Sequence, residues 1–309
     1  MKKQFLITII FVLLASIFTY AQDTDKIAVP LSDPSKPVML EASLMSGGIT
    51  VIGYDGKEVI VESKVREKKL DEAEDLKDAE KEALGEYRVA RRSERSRGSK
   101  RSRQSKREKT NDKAKGMTRL NINSSGLTVE EENNVIEVSV DSWRRAYDLN
   151  IKVPRRTSLK LNCMNNGDIL VENVEGEFEV ENLNGAVTLR NVSGSVTAHS
   201  LNKDVTVTLN KVDAKKSMSF STMNGDIDVT FPKNTKATLK LKSDMGDIYS
   251  DFDMSKHKIT KKVDKKDSRG SGGKYKVVVE NTMQVALNGG GSEMQFTSFN
   301  GDIYVRQGK

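Results

Sequence analysis

A nine-residue period runs unbroken from Met164 to Thr208: MNNGDILVE, NVEGEFEVE, NLNGAVTLR, NVSGSVTAH and SLNKDVTVT. The fourth position holds Gly167, Gly176, Gly185 and Gly194, then Lys203. The sixth is always apolar (Ile169, Phe178, Val187, Val196, Val205), and the eighth is apolar or small (Val171, Val180, Leu189, Ala198, Val207). The second is mostly apolar through Val174, Leu183, Val192 and Leu201. Even positions therefore point to one side and odd positions to the other, the period of a β-strand. One such unit buries three side chains but must order nine residues of backbone, so it cannot stand alone. Stacked copies close a common core, and a fixed short period predicts a solenoid.

A finer alternation sets the coil. Units with Asn166, Asn184 or Asn202 before the glycine position alternate with units carrying Glu175 or Ser193 there, which makes 18 residues the true repeat. The turn recurs at Asn224-Gly225-Asp226-Ile227, Met245-Gly246-Asp247-Ile248 and Asn300-Gly301-Asp302-Ile303, with an early copy at Ser46-Gly47-Gly48-Ile49. Spacings of 22 and 21 after the regular block imply longer coils there. Strands without the glycine signature are expected at Leu120–Ile122, Val135–Val140, Leu149–Val153 and Leu159–Leu161. The expected fold is all-β, a right-handed parallel β-solenoid (single-stranded β-helix) with coils of about 18–22 residues. A β-sandwich of short strands is the alternative.

Outside the repeats the composition changes. Lys2 and Lys3, an apolar stretch from Phe5 to Phe18 and Thr19-Tyr20-Ala21 form a signal-peptide pattern over residues 1–21, with cleavage expected before Gln22. The apolar run is shorter than a spanning helix needs, and no transmembrane segment is expected in the mature chain. Residues 22–37 read as a linker, and the solenoid domain is expected over 38–309. Two inserts interrupt it. Within 66–116, residues 66–87 have helix propensity with a thin apolar stripe at Leu70, Ala73, Leu76, Ala83, Leu84 and Tyr87. Residues 88–116 are Arg/Ser/Lys-rich and are expected to be disordered. Residues 253–274 read as a basic flexible loop.

Net charge must be divided before it is used. The whole chain carries +7, yet residues 88–115 alone carry +10 and residues 253–274 carry +5. Residues 66–87 carry −4, and the remaining mature chain is mildly acidic at −6. The basic charge is therefore local, and no aromatic residue interleaves it, so nucleic acid is not the expected partner. An anionic polymer or lipid contact through 88–115 is the functional reading of that segment; a solvated loop is the plainer one.

The repeats offer little chemistry. A single cysteine, Cys163, excludes an intrachain disulfide and a cysteine-rich zinc site. Two histidines, His199 and His257, match no catalytic spacing. Asp168, Asp226, Asp247 and Asp302 recur at turns, but the calcium-binding nonapeptide requires Asp where this chain has Ile, Val or Phe, so these aspartates read as turn formers capping their own backbone. Asparagines at the corners (Asn166, Asn173, Asn182, Asn184, Asn191, Asn202) are expected to stack in amide ladders. Trp143 and Tyr147 provide one sparse aromatic pair, more suited to anchoring a loop than to binding a sugar. No catalytic, cofactor or metal residue is assigned, and no cofactor is expected.

The alternation of Asn-Gly-Asp-Ile with Val-x-Gly-x-Val, together with Leu149-Asn150-Ile151-Lys152-Val153-Pro154, resembles a bacterial family of exported β-strand-repeat "putative adhesin" proteins of the Bacteroidetes type, whose domain has no known function. The resemblance runs from about Val38 to the C-terminus apart from the inserts, and the 88–116 insert departs from it. It implies a β-helix, export to the periplasm, cell surface or medium, and no catalytic residues. The expected function is non-catalytic binding or structural work at the cell envelope, with a glycan or protein ligand. Outward positions such as Glu172, Glu179, Glu181, Thr188 and Arg190 would form the surface. A carbohydrate-active β-helix enzyme and a periplasmic structural or signalling component are the alternatives.

Overall fold

Apolar and polar residues alternate along most of the described segments, and strands form there. The computed structural model describes residues 24–66, 126–140, 145–254, 257–267 and 275–308. The chain divides into two units, residues 67–124 and the remainder, and the account below concerns the latter. The signal-peptide region, the 66–87 helix beyond Arg66, the 88–116 insert, the Leu120–Ile122 strand and Trp143 lie outside the described residues.

Among the described residues there is no helix. Twenty strands follow one another: β1 (Thr24–Pro30), β2 (Val38–Ser46), β3 (Ile49–Tyr54), β4 (Glu58–Val65), β5 (Leu127–Glu132), β6 (Val135–Val140), β7 (Tyr147–Pro154), β8 (Thr157–Asn165), β9 (Ile169–Glu172) and β10 (Glu175–Asn182). The second half comprises β11 (Val187–Ser200), β12 (Val205–Val212), β13 (Met218–Asn224), β14 (Ile227–Phe231), β15 (Ala237–Ser243), β16 (Ile248–Ser250), β17 (Lys258–Asp267), β18 (Tyr275–Leu287), β19 (Ser292–Asn300) and β20 (Ile303–Gln307).

The pairings resolve into two faces. One runs β5-β6-β2-β8-β10-β11-β13-β19-β15-β18-β17. The other runs β1-β4-β7-β3-β9-β11-β12-β14-β20-β16. The long β11 belongs to both, which joins all twenty strands into one hydrogen-bonded network. Each coil is one strand of the first face followed by one of the second. Within the regular block neighbouring coils are in parallel register at a step of 18, as in Glu175↔Ser193 and Val187↔Val205. The step rises to 22 at Thr197↔Ser219 and Val205↔Ile227. Inward side chains of both faces meet in a single core, and its C-terminal half is filled by Phe220, Phe231 and Phe296 at centroid separations of 4.9–6.4 Å.

Three features depart from the expected solenoid. First, the coils are not stacked in chain order. The β2/β3 coil sits between β6/β7 and β8/β9, and the last coil, β19/β20, sits between β13/β14 and β15/β16. Second, strand directions are mixed, because antiparallel strands extend both ends: β5 on β6, β4 on β7, β1 on β4, β18 on β15 and β17 on β18. Third, two segments expected to lack structure contain strands. The 22–37 linker holds β1, whose side chains from Lys26 to Ala28 are exposed and whose order comes from main-chain pairing with β4. The 253–274 loop holds β17, where lysines conceal the strand from a hydrophobic pattern and the antiparallel ladder to β18 supplies the order.

The second position of the repeat also needs correction. Val174 and Val192 are buried, whereas Leu183 is 40% exposed and Leu201 only half-buried. A nine-residue unit has an odd number of residues, so strict alternation would reverse its inward side at every unit, and one residue must restore the phase. At one corner of the coil Asn173 and Asn191 do so, with φ of 59° and 54°, and the valine after each turns inward. At the other corner the phase is restored only at the Asn-Gly step. There Asn182 and Ser200 are the buried residues, and the apolar residue after each turns outward.

Candidate binding surface at the Asn-Gly corner

The corner carrying the Asn-Gly-Asp turns is built from four columns, each repeated from coil to coil. The innermost is polar. Asn182 Nδ2 donates to Gly167 O at 3.0 Å, Ser200 Oγ to Gly185 O at 3.0 Å and Thr222 Oγ1 to Lys203 O at 2.9 Å. Ser298 Oγ to Gly225 O and Ser243 Oγ to Gly301 O continue the series at 3.3 and 3.1 Å. Each side chain thus supplies a donor to a turn carbonyl of the neighbouring coil.

Cys163 occupies the same column, and its thiol donates to Gly47 O at 2.9 Å. Burial pushes its pKa up to about 11. A shift from 9.0 to about 11 lowers the thiolate fraction roughly 100-fold at neutral pH. Cys163 is therefore expected to resist a colorimetric thiol reagent in the folded chain and to react with one equivalent in denaturant. Fast labelling of the native protein would contradict its place in the column.

Next outward comes an apolar ridge. Met45, Met164, Leu183, Leu201, Met223 and Phe299 occupy consecutive coils in matched register, and apart from the half-buried Leu201 they are 38–51% exposed. Met245, 73% exposed, lies at the turn that follows. The third column is the amide ladder. Asn184 Nδ2 donates to Asn165 Oδ1 at 2.7 Å, Asn202 Nδ2 to Asn184 Oδ1 at 2.7 Å and Asn224 Nδ2 to Asn202 Oδ1 at 3.0 Å. Asn165 takes the place expected for Asn166, which is turned away by a φ of 60° and donates to Ser46 Oγ. Asn184→Ala removes two rungs at an exposed site and is expected to lower stability by about 1 kcal/mol. Urea denaturation would measure this, and an unchanged midpoint would count against the ladder.

The fourth column is acidic. Asp204 Oδ1 accepts from Asp226 N, Asp226 Oδ1 from Asp302 N and Asp302 Oδ1 from Asp247 N, all at 2.8–2.9 Å. Asp168 Oδ1 likewise accepts from Ala186 N at 2.8 Å. These aspartates cap the next coil, and not their own backbone as the local motif suggests. Among the described residues no three His, Cys, Asp or Glu side chains converge to hold a metal ion. Where the row ends, Tyr304 and Tyr249 stack on adjacent coils at 5.1 Å. The hydroxyl of Tyr304 donates to Asp302 Oδ2 at 3.0 Å, which pushes its pKa up to about 12, while the Asp247 carboxylate raises that of Tyr249. Arg306 lies 5.2 Å from the Tyr304 ring centroid and donates to Asp228 at 2.8 Å.

The remaining candidates scatter. Glu179 and Glu181 lie on one face, and Glu172, Thr188 and Arg190 on the other, where Arg190 pairs with Glu172 at 3.3 Å. Tyr147 is buried in β7, and His257 bonds the Met254 carbonyl in an exposed turn. His199 has company that its place in the sequence conceals: its Nδ1 is 2.8 Å from Ser221 Oγ on β13, and Glu181 is its register neighbour on β10. These three strands are paired on both sides, so the row lies within the continuous first face. A shallow concavity of about 600 Å³ lies at the opposite corner, crossed by the Lys216–Glu177 ion pair.

The family model described as Toastrack DUF4097 matches residues 123–282, just over half of the chain. No curated protein resembles the chain significantly. Two crystal structures are similar to it. One, a "putative cell adhesion protein" from Clostridium sporogenes, is 12% identical, with a TM-score of 0.43 over 93% of this chain and 100% of that one. The other, a "putative adhesin" from Bacteroides fragilis, is 10% identical, with a TM-score of 0.32 over 93% of this chain and 98% of that one.

Proposed function

The chain belongs to the Toastrack DUF4097 family, and from that premise we propose that it is a non-catalytic, exported protein that binds a partner at the bacterial cell envelope. The observation that carries this reading is the Asn-Gly corner, where an apolar ridge, an amide ladder and an acidic row run side by side over consecutive coils. Monomeric proteins seldom leave a continuous apolar strip of this length exposed without a partner for it. Methionine supplies half of the six ridge positions, and its flexible thioether adapts to irregular surfaces. The parallel steps of 18 and 22 support reading the body as a right-handed β-solenoid, the hand that parallel crossovers adopt. Such a stack holds its outward columns rigidly, so recognition works by surface complementarity along them.

Export rests on the signal-peptide pattern of residues 1–21. Among the described residues no helix is long and apolar enough to cross a membrane. Location is tested by adding trypsin to intact cells, with a known periplasmic protein followed as the control. Residues 88–115 offer 13 Lys/Arg cleavage sites. Cleavage with the control intact puts the protein on the outer surface and favours adhesion. Protection until the outer membrane is opened removes the adhesin reading and leaves a periplasmic role, whereas recovery only from the cytoplasm overturns export itself.

A further inference from the structure

The outermost coils have four strand edges, and antiparallel strands close three of them: β5 on β6, β4 and then β1 on β7, and β18 and then β17 on β15. The fourth is β16, which shares the last coil with β15 and, among the described residues, pairs only with β20. Asp247 O accepts from Ile303 N, and Asp251 N donates to Val305 O. The alternation of a parallel ladder then turns the N–H and C=O groups of Ile248 and Ser250 to the open side. Proteins cover such an edge or pair it with another chain.

The repeated columns also stop at this edge. Asp204, Asp226 and Asp302 each cap a main-chain N–H of the next coil, whereas Asp247, the last of the row, caps none among the described residues. Ile248 is half-buried, although Ile169, Val187, Val205, Ile227 and Ile303 at the same place in other coils are 0% exposed. Tyr249 stacks one ring face on Tyr304 and turns the other off the end of the stack, 49% exposed. The first face runs on by two more strands, or ~10 Å. There Ile259 of β17, the register partner of the core-packed Met283, is 62% exposed. β16 thus lies on a ledge two strands deep, which admits an extended segment and would bring a folded domain against the β17–β18 hairpin.

Charge selects the segment. From Ser243 to Ser255 the chain carries Asp244, Asp247, Asp251 and Asp253 and no Lys or Arg. Asp247, Tyr249 and Asp251 are two residues apart and share the outward side. The neighbouring cations have partners of their own: Lys242 pairs with Asp244 at 3.8 Å, and Arg306 with Asp228 at 2.8 Å. His257 bonds the Met254 carbonyl, and Lys258 lies beside Gln284 on the first face. Arg306 shows what this surface accepts, since it sits 5.2 Å from the Tyr304 ring centroid while holding a carboxylate. We propose that β16 is a strand-addition site for an extended segment of a partner protein in which Lys or Arg alternates with apolar residues. The basic side chains face Asp247, Tyr249 and Asp251, and the apolar ones cover Ile248. This deepens the partner-binding reading and rests on it, but uses the end of the stack and not the ridge.

Surface plasmon resonance on the immobilised full chain, with the end-blocked peptide Lys-Val-Arg-Val-Lys as analyte, tests the proposal. The contact is short, so the expected Kd is roughly 0.1–1 mM. Glu in place of each basic residue should abolish binding, and about 0.5 M salt should weaken it several-fold. Ser250→Pro removes an open-side N–H while leaving the bonds to β20, and it should weaken binding at least tenfold at an unchanged melting temperature. Two N-methylated peptides test pairing on the unaltered protein, one blocked at the Val nitrogens and one at the Lys and Arg nitrogens. A strand turns only one of these sets toward its neighbour, so one peptide should bind at least tenfold more weakly than the other. Absence of binding at about 5 mM (a Kd above that of any useful contact), equal binding of the two methylated peptides, undiminished binding by folded Ser250→Pro, or equal binding of the Glu peptide would each overturn the proposal. Its failure leaves the ridge and the envelope reading standing, and recovery of the protein only from the cytoplasm would overturn export without touching this edge.

Discussion

Gly194→Ala lowers the melting temperature on the order of 10 °C. Gly194 has a φ of +129°, a region that side chains disfavour, and a Cβ built there falls 1.9 Å from Gly176 O in the neighbouring coil. The carbonyl cannot retreat, because β10 is held by β8 on one side and β11 on the other. Backbone strain and the clash together cost about 3–5 kcal/mol, and each kcal/mol is worth roughly 2–4 °C in a domain of this size. Gly289→Ala is the control. Its φ is also positive, at +92°, but nothing lies within 4 Å of the added methyl. It should lose only about 1 kcal/mol. Equal losses at the two sites would show that strain alone, and not the close approach of coils, makes glycine necessary at 194.

Asn182→Leu is expected to cost about 3 kcal/mol. The side chain is 1% exposed; its amide donates to Gly167 O and Ala186 O, and its carbonyl oxygen accepts from Gly185 N at 3.0 Å. Leucine fills nearly the same volume, so the loss comes from three backbone groups left without partners, at about 1 kcal/mol each. Urea denaturation with an unchanged m-value would measure it. A loss no larger than the one expected for Asn184→Ala would mean that water replaces the amide and that the inner polar column does not stabilise the corner.

Much of this architecture is legible in the chain. The glycine spacing and the alternation at positions six and eight identify the parallel coils, and Ile169, Val171, Phe178, Val180, Val187 and Leu189 are all buried as the pattern requires. The asparagine ladder is legible too, displaced by one residue at its first rung. Coil order is not. Each coil presents similar apolar edges, so nothing local tells β2/β3 to slide between β6/β7 and β8/β9, a choice made by pairing across 96 residues on one side and 119 on the other. The outward turn of Leu183 is also hidden, because the same apolar letter at position two is inward at one corner and outward at the other. The odd length of the repeat contains the clue: a phase-restoring residue is required in every unit, and its place relative to position two decides which way that residue faces. The neighbours of His199 were concealed for a simpler reason. Glu181, His199 and Ser221 are brought together by register and not by spacing in sequence.

The outward ridge is the claim on which the rest depends, and methionine oxidation tests it directly. Treating dilute folded protein with peroxide and mapping sulfoxides by mass spectrometry compares two classes of methionine in one experiment. Met45, Met164, Met223 and Met245 are exposed along the corner, whereas Met218 and Met294 are buried at 2% and 0% exposure. The expected result is rapid oxidation of the four corner residues and protection of the two in the core until the chain unfolds. Protection of Met164 and Met223 to the same degree as Met218 in the dilute protein would turn these residues inward at this corner and remove the ridge.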